Sequence, residues 1–353
     1  MKNITKLLAV LVSSIVLVGN AVAGEMSVTG SAKASFRSGG EDLNSGKAIG
    51  VANELTVSAS GEMDNGFTWN YAVDLDEANN VNDDTSLTIG TPYGPIGFYA
   101  SEGGLSTEYS NLSGAMGAGS DYANISGSTI DREGYDVADY ANIQYHTPAD
   151  LLPFGIAAKV GYAPNIADTG KGASYKAAGS INTAALGRAV EQLQISAAPI
   201  DGLSIKGDVA RTTGQEGNVT TADEGVSANL GAKYTMGQFT VGYYQGGYND
   251  ATSTAETVIY EKDGYSVQFD VNDSLSISYG EEDLEQQTRA KVADTATAGT
   301  KTNVTNTIES LQLAYTTGGM TISAAMQDGE NLDFTKDSDA DVEYWSIGAS
   351  FAF

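Results

Sequence analysis

Five basic side chains recur at one parity of alternating segments: Lys33 and Arg37 near the start, then Lys159, Lys206 and Lys233. Fixed cations of this kind supply attraction and orientation; they do no covalent chemistry without a partnered nucleophile. The carboxylates gather elsewhere. The stretch Glu102–Asp136 carries Glu102, Glu108, Asp121, Asp131, Glu133 and Asp136, with Arg132 its one cation. A second acidic group, Asp337, Asp339 and Asp341, has the alternate spacing that opens a calcium loop. Val342 stands where that loop needs Gly and Gly348 where it needs the closing Glu, so it reads as an acidic loop holding divalent ions loosely at most. Asp74 and Asp76 are a similar weak case. The chain has no Cys and one His, His146. This removes thiolate catalysis, cysteine metal sites and the usual general base. No phosphate-cradling Gly loop, paired-His zinc helix or nucleophile elbow is present. His146, beside a turn, reads as structural or interfacial. No cofactor and no enzymatic reaction are expected.

Electrostatic work of this kind needs a scaffold that sets the charges at defined places. The N-terminus reads as an export signal. Lys2 and Lys6 precede the apolar run Leu7–Val18, and Ala21-Val22-Ala23 gives a small-x-small cleavage pattern, so 1–23 is expected to be removed. Losing those two lysines takes the formal charge from -27 to -29. Such acidity argues against a nucleic-acid partner, whose phosphates it repels. After Gly24 no segment is long and apolar enough for a membrane helix, which leaves a closed barrel or a surface anchor as the ways to meet a bilayer. Tyr, at 19, outnumbers Phe and Trp. It suits positions with one wet and one apolar side.

The decisive segment is Val342–Phe353, V-E-Y-W-S-I-G-A-S-F-A-F. Trp345, Ile347, Ala349, Phe351 and Phe353 share one parity, and Tyr344, Ser346, Gly348, Ser350 and Ala352 the other. That is a strand with one apolar face, ending on an aromatic that water would disfavour and lipid would accept. The same alternation runs along the chain. Glu25–Arg37 places Met26, Val28, Ala32, Ala34 and Phe36 opposite Lys33 and Arg37. Phe67–Leu75 follows an Asp64-Asn65-Gly66 hairpin turn. Thr85–Gly90, Ile96–Ser101, Ala138–His146 and Phe154–Tyr162 continue the series. Short turns alternate with long polar loops, among them Ala163–Leu186, Gly247–Asp263, Glu281–Asn303 and Gln327–Ala340. About sixteen strands result. Strict short–long alternation predicts an all-β, up-and-down antiparallel transmembrane barrel over 24–353 rather than a Greek-key sandwich.

Three places resemble the general porins of Gram-negative bacteria, the sixteen-stranded trimeric kind. Ala141–Pro148 (A-N-I-Q-Y-H-T-P) is similar to a strand-and-turn motif of that family, which often has an acidic residue at the position of His146. Ala158–Asn165 (A-K-V-G-Y-A-P-N) is similar to the next strand and its exit. Phe353 is similar to the terminal signal read by the barrel-insertion machinery. The resemblance implies a homotrimer in outer-membrane lipid that passes small hydrophilic solutes. It also implies that the third external loop, here Glu102–Asp136, folds into the lumen and narrows it. Irregular backbone is tolerated at membrane depth where it lines a water-filled cavity. The five basic residues would then form one wall of a constriction and the six loop carboxylates the other, a transverse field that orients polar solutes.

A weak cation preference is expected, because much of the negative charge lies in external loops where salt screens it beyond ~8 Å. Two other readings stay open. One is a solute-specific channel with a binding site in a stretch such as Tyr109–Tyr122. The other is a secreted β-rich surface or adhesion protein with no pore, whose strands would bury their apolar faces against each other.

Overall fold

The computed structural model of the protein describes residues 24–39, 47–75, 84–107, 112–116, 134–148, 151–164, 189–213, 224–249, 256–290, 301–334 and 341–353. Sixteen strands form one closed antiparallel barrel, each paired with its neighbours in sequence, and the first with the last. They are β1 (Glu25–Gly39), β2 (Lys47–Glu62), β3 (Thr68–Leu75), β4 (Asp84–Gly90), β5 (Ile96–Ala100), β6 (Asn142–His146), β7 (Ala157–Ala163) and β8 (Val190–Ala197). The second half comprises β9 (Leu203–Thr212), β10 (Val226–Met236), β11 (Phe239–Asn249), β12 (Glu256–Asn272), β13 (Leu275–Ala290), β14 (Lys301–Thr317), β15 (Met320–Glu330) and β16 (Val342–Ala352). The up-and-down order expected from the short–long alternation is the observed one.

Parity sorts the side chains into two environments. Leu193, Ile195, Val209, Leu230, Trp345, Ile347 and Phe351 point outward and are exposed. Gln192, Gln194, Asp208, Ser227, Asn229, Ser266, Ser278 and Gln312 point inward and are buried. The apolar surface therefore faces away from the barrel and the polar one into it, the reverse of a soluble core. The turns obey their chemistry. Gly66 takes φ 79°, its N–H donates to the Met63 carbonyl at 2.8 Å, and the Asn65 side chain accepts from Phe67 N at 3.0 Å.

Closure joins β1 to β16 in register from Ser31↔Ala352 to Gly39↔Tyr344. Gly30 and Phe353 extend that ladder by exchanging backbone hydrogen bonds of 2.8 and 2.9 Å. A Cβ on Gly30 would lie 3.0 Å from the Phe353 ring, which covers this position.

Several boundaries differ from expectation. The sixth strand was expected from Ala138, but Val137–Asp139 is a short 3-10 turn and β6 begins at Asn142. Phe154 lies outside β7, in a turn with φ 61°. Gly247–Asp263 and Glu281–Asn303 are largely strand: β11 runs to Asn249, β12 starts at Glu256, β13 continues to Ala290 and β14 starts at Lys301. The β13–β14 extension is polar at nearly every position, and in the β11–β12 extension Val258, Ile259 and Tyr260 are consecutive, so neither shows the alternation that marks the rest of each strand.

Candidate functional site: the barrel interior

The interior is built around the segment that leaves β5. Ser101 takes φ 55° and Gly103 φ 80°, turning the chain inward. Any Cβ at Gly103 would come within 2.7 Å of both the Gln144 amide and the Tyr99 ring, so only glycine fits. Gln144 Nε2 donates to the Gly103 carbonyl, and Asn142 Nδ2 donates to the Glu102 carbonyl at 3.0 Å.

From there the described parts of the segment lie against inward-facing side chains. Leu105 is fully buried and packs with Val137, Ala163, Val190 and Ala210. Its carbonyl accepts from Gln194 Nε2 at 2.8 Å. Asp208 on β9 accepts from the backbone N–H of Thr107 at 2.8 Å and from its hydroxyl at 2.7 Å. Further along, Ser113 N donates to Ser266 Oγ on β12 at 2.7 Å. Ala115 N donates to Ser278 Oγ on β13 at 2.7 Å, and Met116 N to Gln312 Oε1 on β14 at 3.0 Å. On the return leg Tyr135 donates its hydroxyl to the Asn249 carbonyl at 3.0 Å, and Val137 N donates to Gln192 Oε1 at 2.9 Å. Backbone without a ladder must find partners elsewhere. Here serine, glutamine and aspartate of the wall supply them. Sequence reading does not single these residues out; the signal that could find them is the succession of Gln, Ser and Asp at inward parity on consecutive strands.

Asp136 corrects one expectation. It is 2% exposed and holds the two legs of the segment together, accepting from Leu105 N at 3.0 Å and Ser106 N at 2.5 Å. It is a structural clasp, with no face toward a passing solute. Glu108, Asp121, Asp131 and Glu133 lie outside the described residues.

The five cations all point inward, as their parity requires, but they do not form one wall. Lys33 and Arg37 sit on β1, whereas Lys159, Lys206 and Lys233 sit on β7, β9 and β10. In a ring of sixteen strands β1 and β9 face each other. The lysines of β7, β9 and β10 also share their wall with the anchoring residues of the loop, since Lys159 is in register with Gln194 and Lys206 precedes Asp208 by one inward position. They therefore flank the loop on its turn side and do not oppose it. His146 is inward as well, in register with Lys159 and hydrogen-bonded to Gln144 at 2.9 Å.

The carboxylates at inward parity include Asp74 on β3, expected on the lumen side, and two that the sequence does not single out, Glu54 on β2 and Asp84 on β4, beside Glu102. Partial burial pushes the Glu102 carboxyl above its ordinary value, and the charges of Asp84, Asp74 and Glu54 push it further; a hydrogen bond from Gly103 N works against them. Asp337 and Asp339 lie outside the described residues. Asp341 accepts from Asn331 N at 3.0 Å, and no group of three or more potential ligands that could hold a metal occurs among the described residues.

A second apolar clasp sits at the loop end of the barrel. Leu332, between β15 and β16, is 1% exposed among Ile308, Val342 and Tyr344. Phe334 reaches across to Tyr260 on β12, 5.5 Å between ring centroids.

No protein-family model and no curated protein matches this sequence. Solved structures do share its fold. In-vitro folded OmpT, an outer membrane protein of Vibrio cholerae, is 17% identical with a TM-score of 0.64 over 96% of this chain and 100% of its own. The anion-selective porin from Comamonas acidovorans is 11% identical, TM-score 0.60, covering 94% and 100%. Salmonella typhi OmpF, in complex with daunomycin, is 12% identical, TM-score 0.59, covering 95% and 100%. The chain thus has the closed sixteen-stranded barrel fold of outer-membrane porins.

Proposed function

We propose that the protein is an outer-membrane porin, a passive diffusion channel for small hydrophilic solutes and ions. One observation carries this reading: a closed barrel with an apolar exterior, a polar interior, and an irregular segment hydrogen-bonded along its inner wall. An exposed belt of Leu, Ile, Val and aromatic side chains is costly in water and favourable in lipid. A hydrated, charge-lined interior is what selective passage needs. In this reading 1–23 directs export, Phe353 is read by the barrel-insertion machinery, and the whole of Glu102–Asp136 narrows the lumen. The assembly is a homotrimer; Vibrio cholerae OmpT, of the same fold, is known in a trimer form.

The surface-protein alternative requires apolar faces packed on each other, and the outward exposure of Leu193, Leu230 and Trp345 weighs against it. Most of Tyr109–Tyr122, the stretch considered for a solute-specific site, lies outside the described residues.

The test is planar-bilayer conductance of the refolded chain 24–353, with and without residues 108–133 replaced by a short linker. Stepwise insertions in threes, with larger steps after shortening, are expected. Folded protein that opens no channels overturns the reading. Equal conductance in both chains moves the constriction elsewhere.

A further inference from the structure

Lys159, Lys206 and Lys233 form a feature separate from the loop. All three point into the interior and are partly exposed there. All lie near the short-turn ends of their strands, Lys159 and Lys206 close to the starts of β7 and β9 and Lys233 close to the end of β10. Lys206 is opposite Gly231 and Lys233 opposite Ser204, so the two are diagonal neighbours on one face, within reach of long side chains. Ser196, in register with Lys206 and with Ala157, bridges the gap to Lys159 across β8.

Like charges grouped this way repel, and ordinary surfaces relieve the repulsion with carboxylates. None of the three is ion-paired to a described carboxylate. The nearest acid on the same wall in register terms, Asp208, already accepts from Thr107, Asn229 and Gln192. Gly231 and Gly242, in register with Lys206 and Lys233, place no side chain between the two lysines on this wall. The result is a patch of positive potential on the inner wall of a chain whose formal charge is -27.

We propose that Lys159, Lys206 and Lys233, with the hydroxyls of Ser196 and Ser204, form a lumenal binding site for small phosphate-bearing anions at the short-turn mouth of the barrel. A tetrahedral, multiply charged oxyanion can accept from several ammonium and hydroxyl donors at once, which a halide cannot do as well. The site rests on the channel reading, since a solute must reach the interior. It gives an acidic barrel a local step for anions after they pass the carboxylates of β2–β4.

The test is single-channel conductance of the full mature chain in potassium phosphate and in KCl of equal potassium activity, and in KCl with added hexose monophosphate. The expected result is a conductance that saturates with phosphate while remaining linear in KCl. Apparent phosphate affinity should fall at least about tenfold in K159Q/K206Q/K233Q and roughly threefold in K206Q alone, which guards against a triple variant that fails to fold. Block by both probes assigns the site to the phosphoryl group; block by orthophosphate alone confines it to the free ion. Linear phosphate conductance through channels that open normally in KCl overturns the site and leaves the channel intact. Saturation unchanged in K206Q and the triple variant also overturns it. Absence of any channel from folded protein defeats the channel reading instead.

Discussion

Asp208 on β9 holds Thr107 by two hydrogen bonds, one from the backbone N–H and one from the hydroxyl of the same residue. One wall carboxylate thus fixes both the path and the rotamer of the segment that leaves β5. Asp208→Ala removes the one oxygen, Oδ1, that accepts both bonds from buried Thr107, a loss of about 1–3 kcal/mol at that attachment. In single-channel recordings we expect more open-channel noise and a broader conductance distribution. Asp208→Asn keeps an oxygen for Thr107 but turns an amide NH2 toward the donors Gln192 Nε2 and Asn229 Nδ2, and should lie between. Identical noise in all three proteins would show that Leu105 and Asp136 hold the segment alone.

Glu102 should give the channel a pH dependence. Its folded pKa is raised by burial and by Asp84, Asp74 and Glu54. The folded state therefore takes up its proton at a higher pH than the unfolded chain. Stability falls as pH rises from the unfolded value through the folded one, and the penalty is fully present above it. The same step removes one negative charge from the interior as pH falls. Cation preference should decline through a midpoint above the ordinary carboxylate range, measured by reversal potential across a KCl gradient. Glu102→Gln should abolish that step. A midpoint that stays put in the variant assigns it to another carboxylate.

Glu54 and Asp74 should set much of the cation preference, because they face the arc that the described parts of the loop leave uncovered. Neutralising either, as Glu54→Gln or Asp74→Asn, should lower the potassium-to-chloride permeability ratio roughly twofold, the effect of one partly screened charge. A reversal potential of anionic sign in the unmodified protein would refute the cation preference altogether.

Leu332 should act as the pin of the chain between β15 and β16. Leu332→Ala removes a buried side chain among Ile308, Val342 and Tyr344 at a local cost of about 2–5 kcal/mol. Faster hydrogen exchange at Asn331 and Tyr344 is expected, with exchange in β7–β10 unchanged. Uniform acceleration would instead point to general loosening of the barrel.

Fold and site differed in how far the residues announced them. Strand order was legible because lipid and water impose opposite demands on alternate residues, as in Trp345, Ile347 and Phe351 against Ser346, Gly348 and Ser350. Where both faces of a strand are wet, as in the Glu281–Ala290 part of β13, that contrast vanishes and strand reads as loop. Inward direction of the lysines was legible for the same reason. Their grouping was not: parity gives the side of the sheet, whereas distance across a barrel depends on strand number and register. Asp136 was misread because its charge is visible in sequence, while the three N–H groups it serves, of Leu105, Ser106 and Ala138, are not.

The pairing of Gly30 with Phe353 also bears on how the barrel is made. Every other ladder joins strands adjacent in the chain, so it can zip locally. This one joins segments more than three hundred residues apart and carries the largest single loop-closure cost of the fold. Closure is expected to be the slow, late event. Until it happens β1 and β16 are two open edges, each able to pair with a second unfinished chain. A bulky residue at position 30, where a Cβ would meet the Glu54 carbonyl at 2.6 Å and the Phe353 ring at 3.0 Å, should lengthen that exposed interval and show itself as aggregation during refolding.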